Sequence, residues 1–414
     1  MSLPIVILPN HERWDCHQCG ICCRGSLVPL SAEDLARLKS QKWEEHPDYR
    51  GTPVVVPHGS HGGYRLAQRP DATCVFLNDQ GLCRIHAELG FEAKPTICRV
   101  FPLQLIPHEK QAVLTIRRAC PSSALDRGQE LTGHLPFMQT FVNEGRLDAE
   151  EVSPPLLKAG ERREWKTIRL VLAALARVLQ DNRYPPVRRL VHALHFAGLL
   201  EKAKTKSMNH AQLAEVIDAL EAVVVEESQP FFADRRPPSW YAGIFFRQIA
   251  AEFVRLHPQY RAKPTWSQRW LMVTTAIRMA RGSGQLPPLH PQFPPVTFAD
   301  LEQPLGKIDP AVYVPLTRLI ETSSASFLYA LAHRGGWSVI DSVRGLAVLF
   351  PVGLWLLRWT SHGRVPTVDD MVNIVVALDR GQGFQNLNSS VHRWRLNTLG
   401  SQGELERLVV WYAR

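Results

Sequence analysis

Eight cysteines carry the chemistry that this sequence offers: Cys16, Cys19, Cys22, Cys23, Cys74, Cys83, Cys98 and Cys120. All of them lie in the first 120 of 414 residues. Random placement would confine eight cysteines to that stretch roughly once in twenty thousand sequences, so they belong to one local structure. Cys16-x2-Cys19-x2-Cys22-Cys23 brings four thiols within eight residues, close enough for a looped backbone to aim several sulfurs at one centre. Thiolates suit soft metals. Four satisfy tetrahedral zinc, and runs of the form C-x2-C-x2-C with a remote Cys-Pro hold iron–sulfur clusters. Cys16, Cys19 and Cys22 supply such a run and Cys120-Pro121 a remote Cys-Pro, while Cys23 sits where the ferredoxin pattern has no cysteine. Eight ligands suffice for two four-cysteine centres, or for one cluster with spare thiols for redox chemistry. His11, His17, His58, His61, His86 and His108 are candidate nitrogen donors to zinc, but with eight thiols present each is better read as a loop histidine.

The compartment decides between metal and disulfide. The start, Met1 to Pro9, has no basic n-region and too short an apolar run for a secretory signal, so the sequence reads as cytoplasmic. In a reducing cytosol structural disulfides are disfavoured, which leaves metal or redox chemistry for clustered cysteines. A composition of 45% hydrophobic and 21% charged residues is that of a globular chain and excludes disordered and collagen-like classes. The longest apolar stretch, Gly345 to Leu357, falls short of the roughly 20 residues a bilayer needs and predicts a buried core helix, with no membrane span. The net charge of +9 is local: between Arg162 and Lys206, 11 Lys and Arg face three acids, a net of +8. Such a stretch attracts nucleic acid in principle, but solvated outer faces of two helices explain it better.

Fold follows from where the texture changes. The sequence predicts a mainly α protein: an irregular cysteine-rich metal-binding domain over 1–125, a linker over 126–154, and a multi-helix domain over 155–414 with a sub-boundary near 285–308. In the first region loop signals at Pro53, Pro57, His58 to Gly63 and Pro70 leave room only for short helices. One runs from Ser31 to Leu38, with Ser31 as its cap and Asp34 completing a capping box. Beyond 150, helices are predicted over Thr167 to Asp181, Pro186 to about Lys206, after the cap Asn209, and over Trp240 to Leu256, Trp266 to Arg281, Pro310 to His333, Ile340 to Trp359, Val368 to Leu378 and Glu404 to Ala413. Trp240, Trp266, Trp270, Trp355 and Trp359 fall on these helices and read as core packing. No glycine-rich turn after a strand, phosphate loop or Ser/His/Asp signature is present.

The motif order resembles a known family. Cys16-His17-Gln18-Cys19-Gly20-Ile21-Cys22-Cys23-Arg24-Gly25, Leu30-Ser31 with Asp34, Cys74-Val75-Phe76-Leu77, Gly81-Leu82-Cys83-Arg84-Ile85-His86, Lys94-Pro95 and Cys98-Arg99-Val100-Phe101-Pro102 look like the YkgJ-type cysteine-cluster proteins, described as zinc- or iron-chelating domains. The late Cys120-Pro121 and Ala87-Glu88-Leu89-Gly90 are similar to the flagellin lysine-N-methylase branch of that group. The resemblance spans about residues 14 to 123. His86 stands where the general family often has tyrosine, and the helical part has no residue-by-residue match. The thiol spacing favours an iron–sulfur cluster, with zinc as the alternative, and the resemblance implies a zinc- or iron-chelating site. Its methylase branch implies S-adenosylmethionine as a cofactor and a lysine-bearing, flagellin-like protein substrate. Two expectations follow: a cluster-dependent protein lysine methyltransferase, or a non-enzymatic metal-binding module.

Overall fold

A computed structural model describes residues 3–8, 12–58, 63–147, 152–255, 266–286, 293–331, 336–382 and 389–414. Short strands dominate the first part: β1 (Ile5–Val6), β2 (Arg13–Trp14), β3 (Pro29–Leu30), β4 (Val55–His58), β5 (Gly63–Leu66), β6 (Leu103–His108), β7 (Gln111–Ile116) and β8 (Gln129–Glu130). They pair in the orders β1-β7-β6, β2-β8 and β3-β5-β4. Between them lie α1 (Ala32–Ser40), α2 (Arg84–Leu89), α3 (Thr96–Val100), α4 (Pro121–Ala124) and α5 (Leu135–Asn143). The second part is helical throughout: α6 (Trp165–Leu179), α7 (Pro186–Lys202), α8 (His210–Glu227), α9 (Gln229–Ala233), α10 (Trp240–Arg255), α11 (Trp266–Arg281), α12 (Phe298–Leu301), α13 (Val314–Ala325), α14 (Leu328–Leu331), α15 (Val339–Thr360), α16 (Val368–Gln382), α17 (Ser390–Ser401) and α18 (Glu404–Tyr412). The chain is mainly helical with an irregular cysteine-rich start, as the sequence predicts.

Helix α15 is the axis of the helical part. Its N-terminus is fixed by a capping box in which Ser338 and Asp341 satisfy each other's free donors. Its length and hydropathy would suit a membrane span, but 94% of the apolar window is buried against its neighbours in the fold. Those neighbours are α7, α10, α12, α13, α14, α16, α17 and α18. A side chain at Gly353 would meet Leu316 at 2.9 Å, so glycine lets α13 approach α15 closely. The β6–β7 hairpin joins the two parts. One face of it, with Leu103, Leu114 and Ile116, shares a core with Leu131, Met138 and Phe141, while Ile106 and Val113 pack against Leu328 of α14. A strand covered on both faces loses the alternation that marks a strand in sequence, which is why the cysteine region yielded no strand prediction.

Three sequence expectations change. The helix predicted over Pro310 to His333 is interrupted: a 3-10 turn over Pro310–Tyr313 leads into α13, and Phe327 at φ 57° separates α13 from α14. His333 lies outside the described residues. Asp34 does not bond back to Ser31. Ser31 Oγ does accept from Asp34 N at 3.1 Å, but the Asp34 carboxylate turns inward and accepts from Thr96 N at 3.0 Å and Thr96 Oγ1 at 3.1 Å. Finally, Trp355 and Trp359 are buried whereas Trp240, Trp266 and Trp270 are 79%, 78% and 66% exposed. Helix α11 packs on α10 and buries Thr275 and Met279, leaving its aromatic face outside.

One buried charge makes stability depend on pH. Glu406 is 4% exposed, its Oε2 has no hydrogen-bond partner, and burial pushes its carboxyl up to about 7 against the pull of Arg344 and Lys202. A carboxyl whose folded pKa is raised contributes stability that is complete below its ordinary range and is lost as pH rises through about 7. The loss is about 3 kcal/mol by linkage. Denaturant unfolding of the wild type should therefore weaken between acidic and mildly alkaline pH, and Glu406→Gln should remove most of that slope. An equal slope in the variant would contradict this role.

Candidate metal centre

The cysteine loop is shaped by one glycine. Gly20 adopts φ 67°, which turns the backbone into the 3-10 segment Ile21–Cys23, with Cys23 N donating to Gly20 O and Arg24 N to Ile21 O, both at 3.0 Å. A Cβ at Gly20 would lie 2.4 Å from Gly81 O, so the loop is seated directly on the turn that leads to Cys83. Cys74 N donates to Cys23 O at 2.7 Å, which ties the third and fourth thiols of the run to the fifth. Cys83 caps α2, Cys98 sits in α3, and Cys120 caps α4 directly after β7. Asp34, through Thr96, fixes the start of α3 and hence Cys98.

These elements place all eight cysteines on the wall of one cavity of about 920 Å³. None is in a disulfide. Cys16 and Cys19 are exposed, Cys74 and Cys120 buried, and the other four half-buried. Cys22 Sγ and Cys23 Sγ stand 4.0 Å apart, near the edge of about 3.8 Å that a tetrahedral four-thiolate zinc site would have. Among the described residues, however, no three metal-ligating side chains close on a single point. The sulfurs surround a space and do not contract onto an ion.

Their electrostatic neighbours divide them. The Cys19 thiol is raised by burial, and Cys120, Cys22 and Cys16 add to the rise. Burial raises Cys98 well above its ordinary value, with Cys74, Cys83 and Cys22 adding to it. Cys22 is thus felt from both sides. Its own thiol is raised first by the hydrogen bond with Cys23 and then by burial, while Lys94 and Arg380 oppose the shift. Burial pushes Cys74 up to about 11. Cys19, Cys22, Cys74 and Cys98 are thus held protonated when bare, and a cation must displace those protons to bind.

Of the candidate histidines, His17, His58 and His86 line the cavity. His17 Nδ1 is already occupied, 2.9 Å from both Asp15 O and Ser122 Oγ. His108 lies elsewhere, buried between Trp165 and Phe327. His11 and His61 lie outside the described residues. The residue that the sequence did not single out is Arg380, at the end of α16. Its guanidinium lines the cavity and donates to Ile21 O at 2.9 Å and Arg24 O at 3.0 Å, and its buried Nε has no partner. Beside it, Asp379 accepts Arg117 Nε at 3.0 Å, three residues before Cys120. No spacing rule links position 380 to position 22, so only the fold could reveal this contact. A set of soft thiol donors with an unsatisfied cationic donor at its edge fits an anionic thiolate-bound metal centre.

Comparison with known proteins agrees. Residues 15–121 match the model of the CxxCxxCC family, described as "Putative zinc- or iron-chelating domain". The match covers about a quarter of the chain, the part that bears the eight cysteines, and supports metal binding there. An uncharacterized protein of Methanocaldococcus jannaschii is 30% identical over 119 residues, which are 28% of this chain and 38% of that protein. The chain thus spans well under half the length of that curated relative. No solved structure matches the chain. The similarity to flagellin lysine-N-methylases has no counterpart among these matches.

The Gly20 contact yields a test. Gly20→Ala forces either the Ile21–Cys23 turn or the Gly81 turn to move, so it should lower bound metal per chain with every thiol still present. Elemental analysis at wild-type content would show that the loop tolerates the displacement.

Proposed function

We propose that Cys16, Cys19, Cys22, Cys23, Cys74, Cys83, Cys98 and Cys120 hold an iron–sulfur centre, with zinc as the alternative occupant of the same thiols. The observation that carries this reading is eight unpaired thiols around one large cavity. The run Cys16-x2-Cys19-x2-Cys22 with the remote Cys120-Pro121 favours a cluster, while the 4.0 Å between Cys22 Sγ and Cys23 Sγ is what zinc would ask. Lys94 and Arg380 would offset the negative charge of the thiolates, and Asp34 would keep Cys98 in place. Such a centre, when bound, supplies electron transfer or an open Lewis-acid site. A reducing compartment, the cytoplasm, would keep these thiols free for metal.

Catalysis is a finer proposal. Lysine methylation, implied by the methylase resemblance, would bring S-adenosylmethionine and a lysine-bearing protein such as flagellin to the cavity. The size of the cavity, far beyond what metal ions fill, is the feature that favours it. Nucleic acid is not part of this reading: five of the eleven cations of the basic segment, Arg163, Arg169, Arg177, Arg183 and Arg189, are engaged by carboxylates, and the others suit a solvated helix face.

Anaerobic purification should give a brown protein with iron and acid-labile sulfide; colourless protein carrying zinc alone would replace the cluster with zinc, and metal-free protein would end the proposal. Cys19→Ser and Cys98→Ser should each lose metal and destabilise the first part of the chain, because thiolate ligation is coupled to folding. Incubation with a labelled methyl donor and flagellin should transfer label to lysine only when the centre is intact. Absence of transfer with the centre intact would leave a metal-binding module.

A further inference from the structure

Helix α11 carries an apolar face with no partner among the described residues. At ~100° per residue, Trp266, Trp270, Val273 and Ile277 fall within an arc of about 60° on its outer side. They are 78%, 66%, 49% and 47% exposed. Four large apolar side chains in one continuous stripe exceed the scattered exposure normal for a soluble surface. The opposite side of the helix, with Thr275 and Met279, is buried, and Arg247 of α10 donates to Met279 O and Ala280 O. The stripe therefore lies on a helix that the fold holds in place.

The polar residues around it have one sign. Arg269 flanks the stripe on one side, with its guanidinium 5.9 Å from the Trp266 ring, and Arg281 and Arg278 flank it on the other. Among the described residues no carboxylate pairs with these three arginines. The sequence from Phe253 to Ala299 holds six Lys and Arg and no Asp or Glu. A protein groove built for such a face would need buried apolar area ringed by acids, whereas a bilayer of anionic lipid offers both at once. Tryptophan prefers the headgroup boundary, and arginines beside it reach the phosphates. We propose that α11 docks the protein flat onto an anionic lipid surface, with Trp266 and Trp270 entering the headgroup layer.

Flotation of the purified full chain with phosphatidylcholine vesicles, with and without phosphatidylglycerol, tests this directly. Binding is expected on the phosphatidylglycerol vesicles alone, with a blue shift of tryptophan emission and loss at high salt. Combined Arg269→Gln, Arg278→Gln and Arg281→Gln should lower partitioning on the order of 100-fold, taking about fivefold per cation at the surface. Combined Trp266→Ser and Trp270→Ser should abolish the emission shift and most of the binding. These side chains are exposed, so thermal midpoints should stay at the wild-type value, and whichever variant keeps it carries the comparison. No flotation on anionic vesicles, or flotation unchanged in the variants, overturns the proposal. A concentration-dependent dimer that the tryptophan variant dissolves also overturns it and assigns the face to a second copy of the chain.

Discussion

Two neighbouring side chains at the end of α16 hold the thiol loop to the helical core. Arg380 donates to the carbonyls of Ile21 and Arg24, and Asp379 receives Arg117 on the strand that leads to Cys120. The cysteine region has few regular hydrogen bonds of its own. Its backbone takes positive φ at Gln18, Gly20, Gly25, Ala72 and Gly81, and its apolar residues divide into small separate clusters. Clusters of that size bury too little surface to fix a loop against its conformational entropy. External anchors must do so, and α16 is one that the chain supplies itself.

The helical part can act as an anchor because its own core is continuous from α6 to α18. The buried cations inside it are held by carboxylates and carbonyls, with Arg189 Nε left over. Arg344 pairs with Glu201 and Asn397, and Arg358 donates to the carbonyls of Gln303, Leu354, Tyr412 and Arg414, closing the C-terminus over α15. Arg380 is different. Burial disfavours its charge, the nearby sulfurs favour it, and one of its nitrogens is left over. Buried donors are almost always paired, so a spare one beside a cluster of thiols points to an anionic group that completes the set.

How much of this was legible in the sequence depended on where each signal resides. The cysteines were legible because ligand chemistry is written in residue type and spacing. Several helix boundaries were legible: Asn209 caps α8 as expected, in a box with Gln212 that the structure adds, and α11 has the predicted limits. The β6–β7 hairpin was hidden because both its faces are buried. Asp34 was half legible. Local spacing foresaw the cap at Ser31, but the carboxylate is claimed by Thr96, far along the chain, and a contact at that separation leaves no mark on a local pattern. Arg380 left no mark either.

The two basic stretches show why charge alone could not separate a solvated face from a binding one. Between Arg162 and Lys206 the excess of cations reads as an electrostatic feature in sequence, yet the fold brings Glu109, Glu221 and Glu321 from other elements to Arg169, Arg177 and Arg189. The stretch around α11 is less dense in charge and drew no notice, but it has no acid within it and the fold brings none to Arg269, Arg278 or Arg281 among the described residues. Exposed ion pairs contribute little to stability, so their effect in the first stretch is mainly to cancel the field there. Beside the exposed tryptophans no such partner is brought, among the described residues. A tryptophan stripe read alone as a helix period predicts burial, and only the knowledge that α10 occupies the opposite side of α11 turns the same period into an outward face.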